Sequence, residues 1–499
     1  MYIEALGICA INGYEVEVNH GIGLSKNARQ DCNLLLCCAK IDITSYRTKR
    51  KHRLMYACLT GNKDWFHALC SVANISDIIT LRTNTNKTLY HLLTMNISDM
   101  LHERPYRIDN RITHSGEVVP HSHTALTNIN NRLAIIDILD TSRLRVDEKD
   151  ANGNTSLFLA IQYQEVELFK KFIQYYIRHP SRYDINDVNI RGESAFHMAV
   201  ASTNIAIINR LCKTNIDMNI EDMYQMTAFF HAPGRNMEEI VKLLLNYQDR
   251  FDINHQNNGG NSAIHYPCQR GYLSTVQLLC RKTTMNIDLP DHEGFTPLII
   301  ATFCKRTPVV EELLRYPDRI DVNTQDEKGN TALHNAIKDN TIDIMKLLLA
   351  AGASVKLINE KFRSPLTYSM KYGSIEVLQA LLNYIDINTV DDYFGESMLH
   401  NSIRFNKLSL FRHLLTINEL NVDLPDNEGF TPYILTAWCG QLIMMNELLL
   451  NHRKRINIHH RTNYNTNALE NAISENHLDV LEYLTNLHNN NSNSSNSKN

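Results

Sequence analysis

The chain has almost no charge imbalance: 50 Lys and Arg stand against 54 Asp and Glu over 499 residues, a formal charge of -4. Phosphate contacts need concentrated positive charge, so this balance argues against nucleic acid as a partner. No apolar run approaches the roughly 18 residues of a membrane span. The opening stretch MYIEALGICAINGYEVEVNH carries Glu4 early and has no basic segment ahead of an apolar core, so no secretory leader is expected. The eleven cysteines include no CxxC pair, and the chain has neither HExxH nor a glycine-rich phosphate loop. Cysteines scattered as Cys37, Cys38, Cys268, Cys280, Cys304 and Cys439 are read as small buried hydrophobes in a reducing compartment.

What is present is a repeated unit. It begins Gly-x-Thr/Ser-x-Leu-x-x-Ala and reads GNTSLFLA from Gly153, GESAFHMA from Gly192, GNSAIHYP from Gly260, GFTPLIIA from Gly294, GNTALHNA from Gly329, GESMLHNS from Gly395 and GFTPYILT from Gly429. QMTAFFHA, FRSPLTYS and NTNALENA are worn copies. With the hydroxyl as anchor, the series is Thr155, Ser194, Thr227, Ser262, Thr296, Thr331, Ser364, Ser397, Thr431 and, with an amide instead, Asn467. Their spacing is nearly constant, as a short structural repeat requires. Globular cores would split a chain of this length into several domains. A stack in which each unit touches only its neighbours lengthens without thickening.

Each position has a mechanical reason. The glycine two residues before the anchor supplies a positive φ in a tight turn, and the anchor oxygen accepts from orphan backbone N–H groups of a first helix. Pro297, Pro365 and Pro432 follow the anchor at the first helical position, where an N–H would find no partner. Five residues after the anchor stands Ala160, Ala199, Ala232, Ala301, Ala336 or Ala472, small enough for helices to approach closely. Nine after it stands Gly271, Gly373, Gly440, Asn236, Asn340, Asn406 or Asn476, suited to the left-handed conformation that ends a short helix. A second amphipathic helix follows, such as IDIMKLLLA from Ile342. An extended Asp-Ile-Asn or Asp-Val-Asn element, as at 252–254 and 321–323, closes the unit.

These residues closely resemble the ankyrin-repeat family, whose Thr-Pro-Leu-His-x-Ala signature recurs about every 33 residues. The resemblance runs from Ala151 to about His488. It implies an all-α solenoid, a curved, elongated stack of helix pairs whose projecting loops and concave face recognise proteins. The sequence departs from the family at the histidine position, held by His197, His265, His334 and His400 but elsewhere by Phe158, Phe230, Ile299, Thr367, Ile434 and Glu470. Histidine hydrogen bonds are expected between repeats where the residue is present, and apolar packing must serve the other interfaces.

Residues 151–488 are therefore read as an ankyrin-repeat array of about ten clear repeats. Residues 51–150 are read as two or three divergent ones: a helix pair from Leu54 turning at Gly61, KTLYHLL with Thr88 and His91 in the core positions, and an anchor at Thr124, close to one period before Thr155. Residues 1–50 are an N-terminal cap or another worn repeat. Residues 489–499, NNNSNSSNSKN, are too polar to build a core and are expected to be disordered. A longer period overlies the short one: NIDLPDHEGFTPLIIA from Asn286 nearly recurs as NVDLPDNEGFTPYILTA from Asn421, a shift of four repeats that points to duplication of a four-repeat block.

In such a stack the turns and first helices are free to bind. Candidate contacts on the turns are Asp291, His292 and Glu293, their copies Asp426, Asn427 and Glu428, and Asp326 with Lys328. Their excess acidity predicts one or more protein partners with a basic patch. Arg182, Arg250, Arg319 and Arg455, successively two, two and four repeats apart, form a sparse row at the ends of second helices. Either they brace their loops through Asp184, Asp252 and Asp321 two residues on, the favoured reading, or they bind carboxylates of an extended acidic partner. His265 and Cys268 share a helical face but have no third partner for catalysis. RTKRKHR at 47–53 is read as an exposed connector, with an import signal or a nucleic-acid contact as the alternative.

The sequence thus predicts a non-enzymatic, protein-binding scaffold or adaptor of the cytoplasm, nuclear if 47–53 serves import. No cofactor, metal, small-molecule substrate, nucleic acid or membrane is expected. The alternatives are a self-assembling structural protein and a substrate-recruiting subunit of a larger enzyme complex.

Overall fold

In the computed structural model, residues 86–94, 129–140, 145–181, 183–391 and 393–496 are described. The chain divides into two compact units, Met1–Ala232 with Lys242–Asp252, and Pro233–Val241 with Ile253–Asn499. Regular elements among the described residues are helical, and strand-like pairing is limited to isolated bridges such as Val390 with Ser397. The fold is an ankyrin-type solenoid, as the repeat period predicts.

In the second unit, short first helices His265–Arg270, Pro297–Phe303, Ala332–Lys338, Pro365–Tyr372, Met398–Arg404, Pro432–Trp438 and Ala468–Ser474 stack on one another. They alternate along the chain with second helices Leu273–Cys280, Thr307–Leu313, Ile342–Ala350, Ile375–Leu381, Leu408–Leu415, Leu442–His452 and Leu478–Asn496. The expected caps form. Thr155, Ser194, Thr296, Thr331, Ser364, Ser397, Thr431 and Asn467 each cap a first helix by accepting from the N–H three residues on. Ala160, Ala199, Ala232, Ala301, Ala336 and Ala472 are buried, the small side chains expected where helices approach closely.

Histidine joins successive repeats. The Nδ1 of His197, His265, His334 and His400 accepts the anchor's own N–H, which fixes the proton on Nε2. That nitrogen then donates to the carbonyl of the residue before the next anchor: Met226 at 3.0 Å, Phe295 at 3.3 Å, Arg363 at 3.0 Å and Phe430 at 2.9 Å.

The two turn positions carry a wider set of residues than glycine and asparagine. Two residues before the anchor, φ is positive at the glycines but also at Gln225, Phe362 and Asn465. Nine residues after it, φ is positive at Gln164, Thr203 and Lys305 as well as at the expected asparagines, Gly271 and Gly440. Gly373 corrects the expectation there: its φ is -72° and its ψ 165°, ordinary extended backbone. Glycine is needed at 373 for space, because a Cβ would collide with the Ser369 carbonyl oxygen.

The extended elements are tied by a ladder of short polar side chains. Asn186, Asn219, Asn254, Asn323 and Asn388 each accept the backbone N–H of Asp217, Asp252, Asn286, Ser354 and Asn421, one repeat on. The amides of Asn219, Asn254, Asn323 and Asn388 also donate to a carbonyl two residues before that N–H. At Asp288 and Asp423 the ladder has a carboxylate, which accepts from Asp321 and Asn457 but has no amide to donate.

In the first unit, Leu89–Thr94, Ser156–Gln162 and Ala195–Ser202 stack as first helices, and Ile129–Asp140 packs on the second helix Val166–Arg178. His91 bonds the Thr88 N–H and, through Nε2, the Asn154 carbonyl at 2.8 Å. The repeat stacked on Thr155 is thus anchored at Thr88. Its second helix is Ile129–Asp140, and residues 95–128 intervene between its two helices. Thr124, read as an anchor close to one period before Thr155, lies outside the described residues. The helix pair from Leu54, Cys37, Cys38 and the basic run at 47–53 also lie outside the described residues.

The last helix, Leu478–Asn496, runs through most of the Asn/Ser segment expected to be disordered. Its first turns pack through the buried Val480 and Leu484, and extending a formed helix avoids the cost of nucleation.

Candidate partner-binding surface

At the turns, the aspartates are consumed by the fold. Asp291 Oδ1 accepts the N–H groups of Glu293 and Phe295, Asp326 Oδ1 those of Lys328 and Asn330, and Asp426 Oδ1 those of Glu428 and Phe430, at 2.7–3.0 Å. These are Asx-type turns in which a short carboxylate replaces backbone partners. Asp326 is only 7% exposed. The outward residues of these tips are His292, Glu293, Glu327, Lys328, Asn427 and Glu428, all exposed. Their backbones link neighbouring tips: Glu327 N–H donates to the Glu293 carbonyl and Asn463 N–H to that of Glu428. Asn427 also donates its amide to the Tyr393 carbonyl.

The arginine row braces, but against a different partner. Arg319 donates to the carbonyls of Cys280 at 2.6 Å, Lys282 at 3.0 Å and Met285 at 2.6 Å. Arg250 donates to those of Cys212 and Ile216, and Arg455 to those of Asn418 and Leu420. Cys212 and Cys280 end the second helices of the preceding repeats, where carbonyls have no intrahelical partner. One guanidinium bonds two or three carbonyls of the helix end and the loop that follows it because its donors form a fixed fork. Arg182 lies outside the described residues.

Nothing in the His265 and Cys268 pair is poised for nucleophilic chemistry. His265 spends both nitrogens on the Ser262 N–H and the Phe295 carbonyl. Burial pushes the Cys268 thiol well above its usual range, the Cys280 thiol to about 12 and the Cys212 thiol to about 11, so the nucleophilic thiolate is suppressed. Among the described residues, no group of three or more His, Cys, Asp or Glu side chains converges as a metal site would require. No helix among them is long and apolar enough to cross a membrane.

A different set of side chains, missed in the sequence, stands on the repeats anchored at Thr331, Ser364 and Ser397. Seven residues after those anchors come Lys338, Lys371 and Arg404, flanked in the neighbouring repeats by Phe303 and Trp438. The signal was available, since these cations stand one period apart, but it appears only when that position is followed through successive repeats. At the tips, Phe362, Tyr393 and Phe394 are half exposed. Phe362 stacks on Tyr393 with centroids 4.7 Å apart, and Tyr393 meets Phe394 edge-on at 4.6 Å.

Comparison with known proteins agrees with the geometry. The family described as "Ankyrin repeats (3 copies)" matches residues 122–222, 157–257, 229–326, 306–391 and 393–496. The chain belongs to the ankyrin-repeat family. Among ankyrin-repeat relatives, a putative ankyrin repeat protein of Acanthamoeba polyphaga mimivirus is 27% identical over 245 residues, 42% of this chain and 32% of that protein. Transient receptor potential cation channel subfamily A member 1 of Homo sapiens is 22% identical over 322 residues, 62% of this chain and 28% of that one. Human neurogenic locus notch homolog protein 1 is 28% identical over 198 residues, 37% of this chain and 8% of that one. The chain therefore spans a third or less of the length of each. The solved ankyrin repeat domain of Bcl-3 aligns with 46% of this chain and 99% of its own at 24% identity, with a TM-score of 0.43. Ankyrin arrays are in general protein-interaction scaffolds without catalysis of their own.

Proposed function

We propose that this ankyrin array is an adaptor that grips partner proteins with its turn tips and the outward faces of its first helices, and that it catalyses nothing itself. The observation that carries this reading is the division of labour within the repeat. Anchor hydroxyls, the bridging histidines, ladder asparagines, turn aspartates and the described row arginines are committed to the stack, while the tip residues beside them vary and remain exposed. The exposed carboxylates of Glu293, Glu327 and Glu428 favour a partner with a Lys- or Arg-rich patch. Five unpaired cysteines among the described residues, three of them buried, fit action in the reducing cytoplasm.

Affinity capture tests this with the intact chain beside a variant carrying His292→Ala, Glu293→Lys, Asn427→Ala and Glu428→Lys. These residues are exposed and leave the turn aspartates in place. The variant should keep its helical circular dichroism and lose captured proteins, and the capture by the intact chain should weaken as salt rises. An identical set of captured proteins for both forms would overturn the assignment of these tips.

A further inference from the structure

Phe362 occupies the position two residues before its anchor, where most repeats have glycine, and holds a φ of +53°. That conformation costs a residue with a Cβ roughly 1–2 kcal/mol. Its ring stacks on Tyr393 yet stays 50% exposed, beside Tyr393 at 49% and Phe394 at 44%. A strained backbone that presents an exposed aromatic cluster points to use by a ligand.

A second, independent feature lies on the same repeats. Arg363 reaches from the Phe362 tip to lie over the Phe405 ring at 5.8 Å. Lys371 Nζ stands 5.0 Å from the centre of Tyr372 and 5.7 Å from that of Phe405, and Arg404 lies 5.5 Å from Trp438. Arg404 is neutralised by the buried Glu396. Lys338, Lys371 and Arg363 make no ion pair among the described residues and are the surplus charge. The exposed phenol of Tyr372 is held below its usual value by its bond to Lys371, with Arg363 and Lys338 adding to the effect, so the local potential is positive.

We propose that this surface takes an extended acidic segment of another protein, which lays carboxylates along Lys338, Lys371 and Arg363 and seats an apolar side chain on Phe362, Tyr393 and Phe394. The proposal rests on the protein-binding reading above and adds the chemistry of one partner. An extended peptide fits the spacing. Neighbouring packed helices lie about 8–10 Å apart and an extended chain advances about 3.3 Å per residue, so carboxylates three residues apart can meet Lys338 and Lys371 on adjacent repeats, with Arg363 beside the second. A nucleic acid is the poorer fit, because the few unpaired cations here are too sparse for a phosphate track.

The test uses the full chain and fluorescence anisotropy. The probes are a labelled peptide of four Glu-Ser-Leu triplets, a control of four Gln-Ser-Leu triplets, and a twelve-residue oligothymidylate. The acidic peptide should bind at least tenfold tighter than the glutamine control. It should also weaken at least tenfold with the double change Lys338→Gln and Lys371→Gln, and again with Phe362→Gly and Tyr393→Ser, all in variants whose helical circular dichroism is unchanged. Equal binding of both peptides, no binding of either, or indifference to these variants would overturn the proposal. So would tighter binding of the oligothymidylate that the same variants abolish. None of these outcomes touches the capture experiment at 292–293 and 427–428, whose failure would instead strike the tip assignment.

Discussion

At Asp288 and Asp423 one atom separates a complete hydrogen-bond ladder from an incomplete one. Oδ1 of each is buried without a donor. Burial raises the Asp288 carboxyl to about 6 and that of Asp423 in the same direction. Because the folded value of Asp288 exceeds the unfolded one near 3.8, its favourable contribution is complete below pH 3.8 and lost as pH rises through 6. Asparagine supplies the missing donor at any pH. The pair Asp288→Asn and Asp423→Asn should therefore raise the urea midpoint at pH 7.5, by about 0.5–1.5 kcal/mol for each restored hydrogen bond, and lose part of that advantage by pH 5. A midpoint that does not move at pH 7.5, or an advantage that grows in acid, refutes this account. The exchange of Asn for Asp is visible in NIDLPD and NVDLPD, but its cost is not, since the lost donor faces a repeat further along the chain. For the same reason Asp291, Asp326 and Asp426 read as contacts in the sequence: only geometry shows a carboxylate oxygen turned back onto its own turn.

Within the helix pair, the sequence exposes what a residue type permits and conceals what the neighbouring repeat demands. Threonine or serine followed by proline or alanine identifies a capped first helix, because the cap is local chemistry. Glycine is less transparent. Gly329 combines a φ of +74° with a site where a Cβ would stand 2.8 Å from the Asn359 Cα of the next repeat. Gly352 has a φ of +89° and nothing within 4 Å. Gly352→Ala should then cost only the conformational penalty, roughly 1–2 kcal/mol, whereas Gly329→Ala adds a collision between tips and should cost clearly more. Urea midpoints of the two variants decide it, and a Gly352→Ala loss equal to or above that of Gly329→Ala would contradict the role given to tip contact. Gly373 shows the converse, a glycine with ordinary φ kept because a carbonyl leaves no room. Position alone does not distinguish the three cases.

At the scale of the stack, the regular return of the anchor was enough to reveal the architecture, since every unit buries its face on the next. The histidine bridge from His91 to the Asn154 carbonyl shows the same stacking at the worn repeat anchored at Thr88, where the glycine of the signature is replaced by Asn86. Histidine gives the second unit a further, coarser rhythm: His265, His334 and His400 occur in every second repeat, alternating with Ile299, Thr367 and Ile434. Each histidine is useful only when neutral, because Nδ1 must accept. Burial lowers His334 and His400 to about 4, and His265 and His197 also fall below their usual value. In the unfolded chain these rings titrate near 6.5, so unfolding takes up protons between pH 6.5 and 4. Stability is full above 6.5 and falls through that window, by up to about 1.4 kcal/mol per pH unit for each histidine. The carboxyls that burial raises, Asp288 with Asp423, Asp426 and Glu396, favour the folded state in acid and so oppose this. The urea midpoint should drop from pH 7 to 4.5 by less than the four histidines alone would give. With His334→Asn and His400→Asn the protein should be weaker at pH 7 but its midpoint should depend less on pH. An unaltered slope in that variant would mean that the histidine bridges between successive repeats do not set the response of the array to acid.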